Sequence, residues 1–297
     1  MQHSLSLRRQ NNLKKIAAVA SVSIAVILLI VKTLGVLYTG SLTVFSSLID
    51  SMSDLFASIV TFWAIRVSTK PADSKHRYGH GKAEALSALV QAAFIFGSGL
   101  FVIYDGIYRL FYPQEIHKVD FGIVIMLVCM LLTLALIVFQ NYVAKRTNSR
   151  AIRADAMHYS VDIITNLIVI VALVVTEKLQ IWWFDILGAL VIALYLLRGG
   201  FFLAQDAVSV LMDKELSDEV REEIMKRALE CGHICGIHDL RTHDLGGKYL
   251  FEMHLELDGN LPLAEAHKYT KQVEIVLQNR FSNAEVVIHQ DPIKKTN

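Results

Sequence analysis

Apolar residues in this chain run in blocks much longer than one face of a surface helix requires, and polar residues interrupt the blocks at few places. Six such stretches, near 14–38, 41–66, 83–111, 119–144, 153–177 and 180–206, are each long enough to cross a bilayer, which takes about 20 residues in a helix. The four prolines, Pro71, Pro113, Pro262 and Pro292, all fall outside these stretches, as uninterrupted helices require. After about residue 213 the period changes. Residues 216–230 have a helical pattern behind a Ser217 cap, with Asp218 and Glu219 in the first turn. Residues 237–244 and 248–257 read as strands around a Gly246-Gly247 turn. In the second of them Phe251, Met253, Leu255 and Leu257 alternate with Glu252, His254 and Glu256, which gives one apolar and one polar face. Pro262 opens a helix to about Phe281, and 285–291 forms a last strand. The pattern predicts a mostly α membrane protein: six transmembrane helices within 1–208, then a small two-layer α+β domain, αββαβ, over 209–297.

Composition agrees with this division. Of 297 residues 54% are hydrophobic and 19% charged, and the mean hydropathy is +0.43, too apolar for an ordinary soluble protein. A net charge of +1 leaves no nucleic-acid footprint. Arg8, Arg9, Lys14 and Lys15 before the first apolar run imitate a signal peptide, but the run continues to about Tyr38, too long for a cleaved segment. Basic residues crowd the N-terminus and two connections, one with Arg66, Lys70, Lys75, Arg77 and Lys82, the other with Lys145, Arg146, Arg150 and Arg153. The opposite connections hold only Arg109, Lys118 and Lys178. The positive-inside rule therefore places both termini in the cytoplasm. Cys129 sits in an apolar run; Cys231 and Cys235, beside His233 and His238, imitate a zinc knot. A structural zinc site wants a second, similarly spaced ligand pair, and the chain has no further cysteine to supply it. A cytosolic tail also disfavours a disulfide.

Against this apolar background, ionisable groups inside the spans stand out. Asp50 and Asp54 lie in the second stretch, His158 and Asp162 in the fifth. Each pair is spaced i, i+4 and so shares one helix face. A charge at mid-bilayer costs on the order of 3 kcal/mol even on lenient scales, and four such groups need compensation. Three carboxylates and one imidazole suit a divalent cation, Zn²⁺ first, and so oxygen-rich a set also admits Cd²⁺, Fe²⁺ or Mn²⁺. The same ligands bind protons, so metal and proton compete, with His158 the best-placed proton carrier. Ser47, Ser51, Ser58, Asp155 and Asn166 surround the set. The alternative is that these acids are packing groups paired with cations such as Lys32, Lys82 or Arg153.

Two further clusters lie outside the spans. Asp73, His76 and His80 follow D-x₂-H-x₃-H, which offers three ligands from a turn or simply a solvated loop facing lipid headgroups. In the tail, His289 and Asp291 share a strand face, and His254 projects from the polar face of its own strand. His238 joins this group, and His267, near the start of the second tail helix, would reach a neighbouring edge or another subunit. His117, His233 and His243 read as surface residues. No G-x₄-G-K-[ST] loop and no H-E-x-x-H pair is present, which removes nucleotide-driven transport and zinc-protease chemistry. A metal transporter remains, with a passive channel and a membrane-anchored metal sensor as rivals.

At these residues the chain resembles the cation diffusion facilitator family, in its bacterial YiiP-type zinc/proton antiporter branch. The carriers are S-L-I-D-S-M-S-D (47–54), P-A-D-S-K-H-R-Y-G-H-G-K (71–82), R-A-D-A-M-H-Y-S-V-D (153–162), H-D-L-R-T (238–242) and I-H-Q-D-P (288–292). The resemblance implies a non-enzymatic homodimer of six-helix protomers in a bacterial cytoplasmic (inner) membrane, exporting divalent metal by proton antiport with alternating access. It implies a ferredoxin-like, metallochaperone-like cytosolic domain, with Zn²⁺ both transported and structural or regulatory, and protons as counter-ion. It further implies a transport site of Asp50, Asp54, His158 and Asp162, and a loop site of Asp73, His76 and His80. His238, His254, His267, His289 and Asp291 match a two-metal site that steadies the cytosolic dimer, and Lys82 with Asp213 an inter-subunit charge interlock. The D-x₃-D spacing, where many eukaryotic relatives have H-x₃-D, keeps Cd²⁺ among the candidate cargoes.

Overall fold

The computed structural model describes residues 2–39, 42–111, 120–179 and 183–293; within its helices some side chains, including those of Ser47, Asp50 and Asn166, lie outside the described residues, as does His117. The element order is α1 (Gln2–Thr39), α2 (Leu42–Ser68), α3 (Ala83–Phe111), α4 (Asp120–Thr147), α5 (Arg150–Leu179), α6 (Trp183–Leu211), α7 (Asp218–Leu229), β1 (Gly236–Asp244), β2 (Tyr249–Asp258), α8 (Leu263–Arg280) and β3 (Ala284–Ile293). Two compact units result, one of Met1–Thr69 with Ala83–Val208, the other of Lys70–Lys82 with Ser209–Asn297. The 70–82 connection, counted by sequence with the membrane helices, clusters with the tail.

In the first unit all six apolar stretches are helical over their described residues. Among the described residues four segments are long and apolar enough to span a membrane: Arg9–Leu34, Ala83–Phe101, Leu127–Thr147 and Ala193–Leu211. The expectation of six is met only this far; α2 and α5 carry many side chains outside the described residues. The buried stripe of α2 is polar, with Ser51, Asp54, Ser58 and Thr61 facing inward while Met52, Phe56, Ile59 and Trp63 face out. That arrangement inverts a soluble helix. On α5, beyond Ile164 only Leu167 has a described side chain. The first turns of α5 are buried nearly all round, from Ala151 to Val161, because α5 packs against α2, α3 and α4 together. Alanines make that possible: Ala17, Ala18, Ala144 and Ala151 at one contact, Ala88, Ala92, Ala154 and Ala207 at another. Small side chains let helix backbones approach closely in apolar surroundings.

The second unit is a three-stranded sheet in the order β1-β2-β3. β1 and β2 pair antiparallel; β2 and β3 pair parallel across the α8 connection. This is the αββαβ order that the periodicity predicts. Phe251, Met253 and Leu255 of β2 point to one face, against Ile224 and Ala228 of α7 and Val273 and Leu277 of α8. The β1–β2 turn needs left-handed backbone at Gly246 (φ +86) and Gly247 (φ +91), which glycine adopts without steric cost. Asp244 Oδ1 accepts from both of their amides, at 2.9 and 3.0 Å. Ser217 occupies the cap position of α7 with extended backbone, yet makes no side-chain cap bond. Its hydroxyl serves Glu219 instead and holds that carboxyl below the usual range.

Candidate metal centres

Among the described residues three groups of potential ligands converge, each with ligand atoms within 4.8 Å of one another: Asp54, His158 and Asp162; Asp73, His76 and His80; and His238, His254 and Asp291.

The first group lies inside the helical unit. Asp54 of α2 meets His158 Nε2 of α5 at 3.2 Å, and both residues are buried. Asp162 lies one turn further along α5, the i, i+4 step that the sequence offered. The His158 ring is wedged between Phe94, its centroid 6.2 Å away, and Tyr159, at 6.0 Å, both edge-on. Its Nδ1 is buried with no hydrogen-bond partner, which leaves a lone pair or proton available inside the cluster. Buried polar atoms are normally satisfied, so an orphan beside two carboxylates fits a site built for a cation. Asp50 sits one turn before Asp54 on the same helix; its side chain lies outside the described residues. Lys32 Nζ donates to Ser51 Oγ at 2.6 Å, while Asp54 faces the imidazole.

The second group belongs to the tail unit. Asp73 folds an Asx-type turn by accepting from the amides of Lys75 and His76, at 2.9 and 2.7 Å. Left-handed Gly79 (φ +89) then turns the chain back, and His80 Nε2 comes to 3.3 Å from Asp73 Oδ2. The His76 and His80 rings lie 4.5 Å apart. The His76 amide foremost, then the Lys75 amide and the two imidazoles, hold the Asp73 carboxyl below the usual range. His80 Nδ1 is again a buried orphan. Lys82 closes this segment with a 2.7 Å bond to Asp213 Oδ1, and His243 Nδ1 stands 3.5 Å from the same oxygen. Within one protomer the two residues thus bond directly, inside the same compact unit; a charge interlock between subunits belongs to the dimer reading.

The third group is a product of strand register. His238 pairs opposite His254, and His254 opposite His289, so three imidazoles form a row across all three strands, with centroids 5.1 and 4.7 Å apart. The next row on that face holds Glu256 and Asp291. Asp291 accepts from His254 Nδ1 at 2.9 Å and lies 3.1 Å from His238 Nε2 and 3.3 Å from His289 Nε2. His238 Nδ1 meets Glu256 at 3.0 Å. The His254 bond foremost, then the charges of His254, His289 and His238, hold the Asp291 carboxyl below the usual range. A depressed carboxyl contributes stability above its unfolded value and loses it as pH falls through the folded one. Asp291 thus stays ionised to lower pH than an ordinary aspartate. His254→Ala is expected to weaken metal binding to the row at least about 10–100-fold, the cost seen even for outer-shell partners, as calorimetry on the full chain would show.

His267 does not join this row. It is exposed on α8, which covers the apolar face of the sheet, while His238, His254 and His289 occupy the opposite face. A side chain cannot cross the sheet, so His267 meets such a row only if a second copy supplies it. The sequence reading passed over Glu256 as a partner, although strand alternation put it on the polar face. It also passed over Gln91, Gln140 and Tyr159, which converge with Ser21 and Ser58 around Asp155.

Comparison with known proteins bears on the whole length. Residues 18–212 match the family described as cation efflux transmembrane domain, and residues 216–293 the one described as cation efflux protein, cytoplasmic domain. The cation-efflux pump FieF of Shewanella oneidensis is 42% identical over 280 residues, covering 94% of this chain and 94% of that protein. Proteins of the same name from Klebsiella pneumoniae and Pectobacterium atrosepticum are each 40% identical, over 281 and 278 residues. They cover 93% and 94% of this chain and 92% of their own lengths.

Proposed function

The chain belongs to the cation efflux family as an integral membrane metal-ion transporter, and from that premise we propose that its cargo is a divalent cation, Zn²⁺ first, exported from the cytoplasm in exchange for protons. The observation that carries this reading is the buried meeting of Asp54, His158 and Asp162 from two helices. Asp50, one turn from Asp54, completes a four-ligand set, the usual number for Zn²⁺. An ion with two positive charges offsets the carboxylates that the apolar surroundings penalise.

Antiport follows from the ligands themselves. Carboxylate and neutral imidazole hold the metal, and protonation of either weakens it. In an inward-open state the site loads metal; after the helices rock, protons arriving from the far side displace it and return inward. Six spans, both termini in the cytoplasm and a bacterial inner membrane complete the reading, supported by six long helices and the asymmetric distribution of Lys and Arg. The sequence bears no catalytic motif, and transport needs no covalent chemistry.

The loop and tail groups are proposed as resident metal sites. Their donor sets fit Zn²⁺: an acid with two imidazoles in the loop, and a carboxylate that can bridge two ions beside the histidine row in the tail. His267 from a second copy would complete the tail site, which makes metal and homodimer mutually dependent.

Zinc uptake and lumenal pH measured together in proteoliposomes test the reading, with Asp50→Ala as control. Zinc movement coupled to opposite proton movement, lost in Asp50→Ala, is the expected result. Zinc flux without a pH change would mark a passive channel, and no flux an anchored sensor; either outcome overturns the proposal.

A further inference from the structure

On the outer face of the helical unit, a groove of about 310 Å³ runs between the first half of α1 and the last turns of α2. Its lining is Lys15 and Val19 from α1, and Phe62, Ile65 and Arg66 from α2. None of them belongs to the three metal groups. Along the same seam Lys32 meets Ser51 and Ser21 meets Ser58, so the two helices run antiparallel. Lys15 and Val19 are spaced i, i+4, as are Phe62 and Arg66, and each pair shares a helix face. The two cations therefore stand together at one end of the seam, with Val19 and Phe62 one turn deeper.

The floor of the groove is firm. Ile65 is 1% exposed and packs in a buried cluster with Ala17, Ala18, Val143 and Ile152, against which Phe62 also rests. Its rim is charged and open. Lys15 and Arg66 are exposed, and among the described residues neither side chain meets an acid, whereas the neighbouring Lys14 turns inward to Glu84. Exposed Trp63, beside Phe62, is the kind of side chain that settles at a membrane–water boundary. The groove thus offers positive charge at the boundary and apolar surface directly beneath it.

We propose that this groove is a binding site for an anionic phospholipid, with the phosphate held between Lys15 and Arg66 and an acyl chain laid along Val19, Phe62 and Ile65. Charge complementarity selects the headgroup: the Arg66 guanidinium can bond two phosphate oxygens at once, and Lys15 adds a point charge. A zwitterionic lipid carries the same phosphate, but its amine would be repelled by both cations. The apolar floor selects a lipid over a free phosphate, which would leave that surface uncovered. Basic pockets between helices on the cytoplasmic side suit anionic headgroups, and the two cations stand at the end that the Lys and Arg distribution assigns to the cytoplasm. The site needs only that these helices cross a membrane, so it is independent of cargo and of antiport. Because the lipid bridges α1 and α2, binding should also stabilise the folded chain by linkage.

Native mass spectrometry of the full chain in neutral detergent tests this, with phosphatidylglycerol and phosphatidylcholine of identical acyl chains as competing probes. The expected result is preferential retention of phosphatidylglycerol, with a melting temperature that rises with it and not with phosphatidylcholine. No preference between the two lipids overturns the proposal. The double variant Lys15→Gln, Arg66→Gln should weaken phosphatidylglycerol binding about 30-fold, the effect of losing two basic residues' attraction to an anionic lipid surface. Lys145→Gln, Arg146→Gln removes the same charge from exposed positions in the last turn of α4 and should leave binding unchanged. Equal weakening in both double variants would mean a diffuse attraction to the basic end of the bundle, and overturns the site. Val19→Trp keeps both cations and fills the groove at an exposed position, so the chain should fold and lose the lipid. Unchanged binding in Val19→Trp, or competition by glycerol phosphate as strong as by phosphatidylglycerol, overturns the proposal even if the first double variant fails to fold.

Discussion

Asp54→Ala is expected to abolish metal transport, with binding at the membrane site weakened by more than the roughly 10–100-fold that follows loss of an outer-shell partner. The reason lies in geometry as well as charge. Asp54 is the one described ligand that α2 contributes, and it faces the single imidazole at 3.2 Å. Without it, the carboxylate that faces the imidazole is lost and α2 offers only Asp50, one turn away. Removing one negative charge also lowers the attraction for a divalent cation in surroundings where screening is weak. The fold should survive, since the alanine would lie on the same buried stripe as Ala57 and Ala64. Uptake into proteoliposomes, paired with a melting curve, checks both halves: flux lost and melting temperature nearly kept. Undiminished flux would show that the ion takes another route.

The second large effect concerns stability. Lys14 Nζ of α1 bonds Glu84 Oε1 of α3 at 2.7 Å, with side-chain exposures of only 11% and 5%. Glu84 Oε2 accepts from Ser149, just before α5, at 2.6 Å, and Ser68 at the end of α2 donates to Oε1 at 3.3 Å. One buried ion pair thus ties α1 to the end of α2, the start of α3 and the turn before α5. Lys14→Met should leave Glu84 as an uncompensated buried charge and destabilise by about 3–5 kcal/mol. The double variant Lys14→Met, Glu84→Gln removes both charges and should recover most of that loss. Unfolding midpoints in detergent give the comparison; a double variant as unstable as the single one would contradict the charge argument.

Much of this was legible in the sequence, and the exceptions follow a pattern. Long apolar runs marked α1 to α6, because a helix in lipid must satisfy its backbone internally and advertise its length. Alternation at 251–257 marked β2 and its two faces. Paired acids at i, i+4 marked α2 and α5 as the helices with chemistry, and their shared face needed no tertiary information. What the sequence withheld depends on contacts between distant elements. Gln91 and Gln140 sit singly in apolar helices, with nothing in their spacing to say that both point at Asp155. Nothing in the spacing pairs Lys14 with Glu84, which lie 70 residues apart in sequence. His267 lies on α8, across the apolar face, so within one protomer the sheet separates it from the histidine row, and whether a second copy supplies it lies beyond what spacing can say. That the 70–82 segment clusters with the tail, so that Lys82 bonds Asp213 within the chain, was likewise not written in its spacing.

The central claim, a single divalent ion held by carboxylates and one imidazole from α2 and α5, is tested most directly by X-ray absorption at the zinc edge. The protein for it is the full chain carrying Asp73→Ala, His238→Ala, His254→Ala and Asp291→Ala, so that the membrane site alone retains metal. One zinc per protomer with one imidazole and otherwise oxygen neighbours, at about 2.0–2.2 Å, is the predicted spectrum, vanishing in His158→Ala. A site with two or more imidazoles or a sulfur neighbour, or no bound zinc at all, would contradict the account.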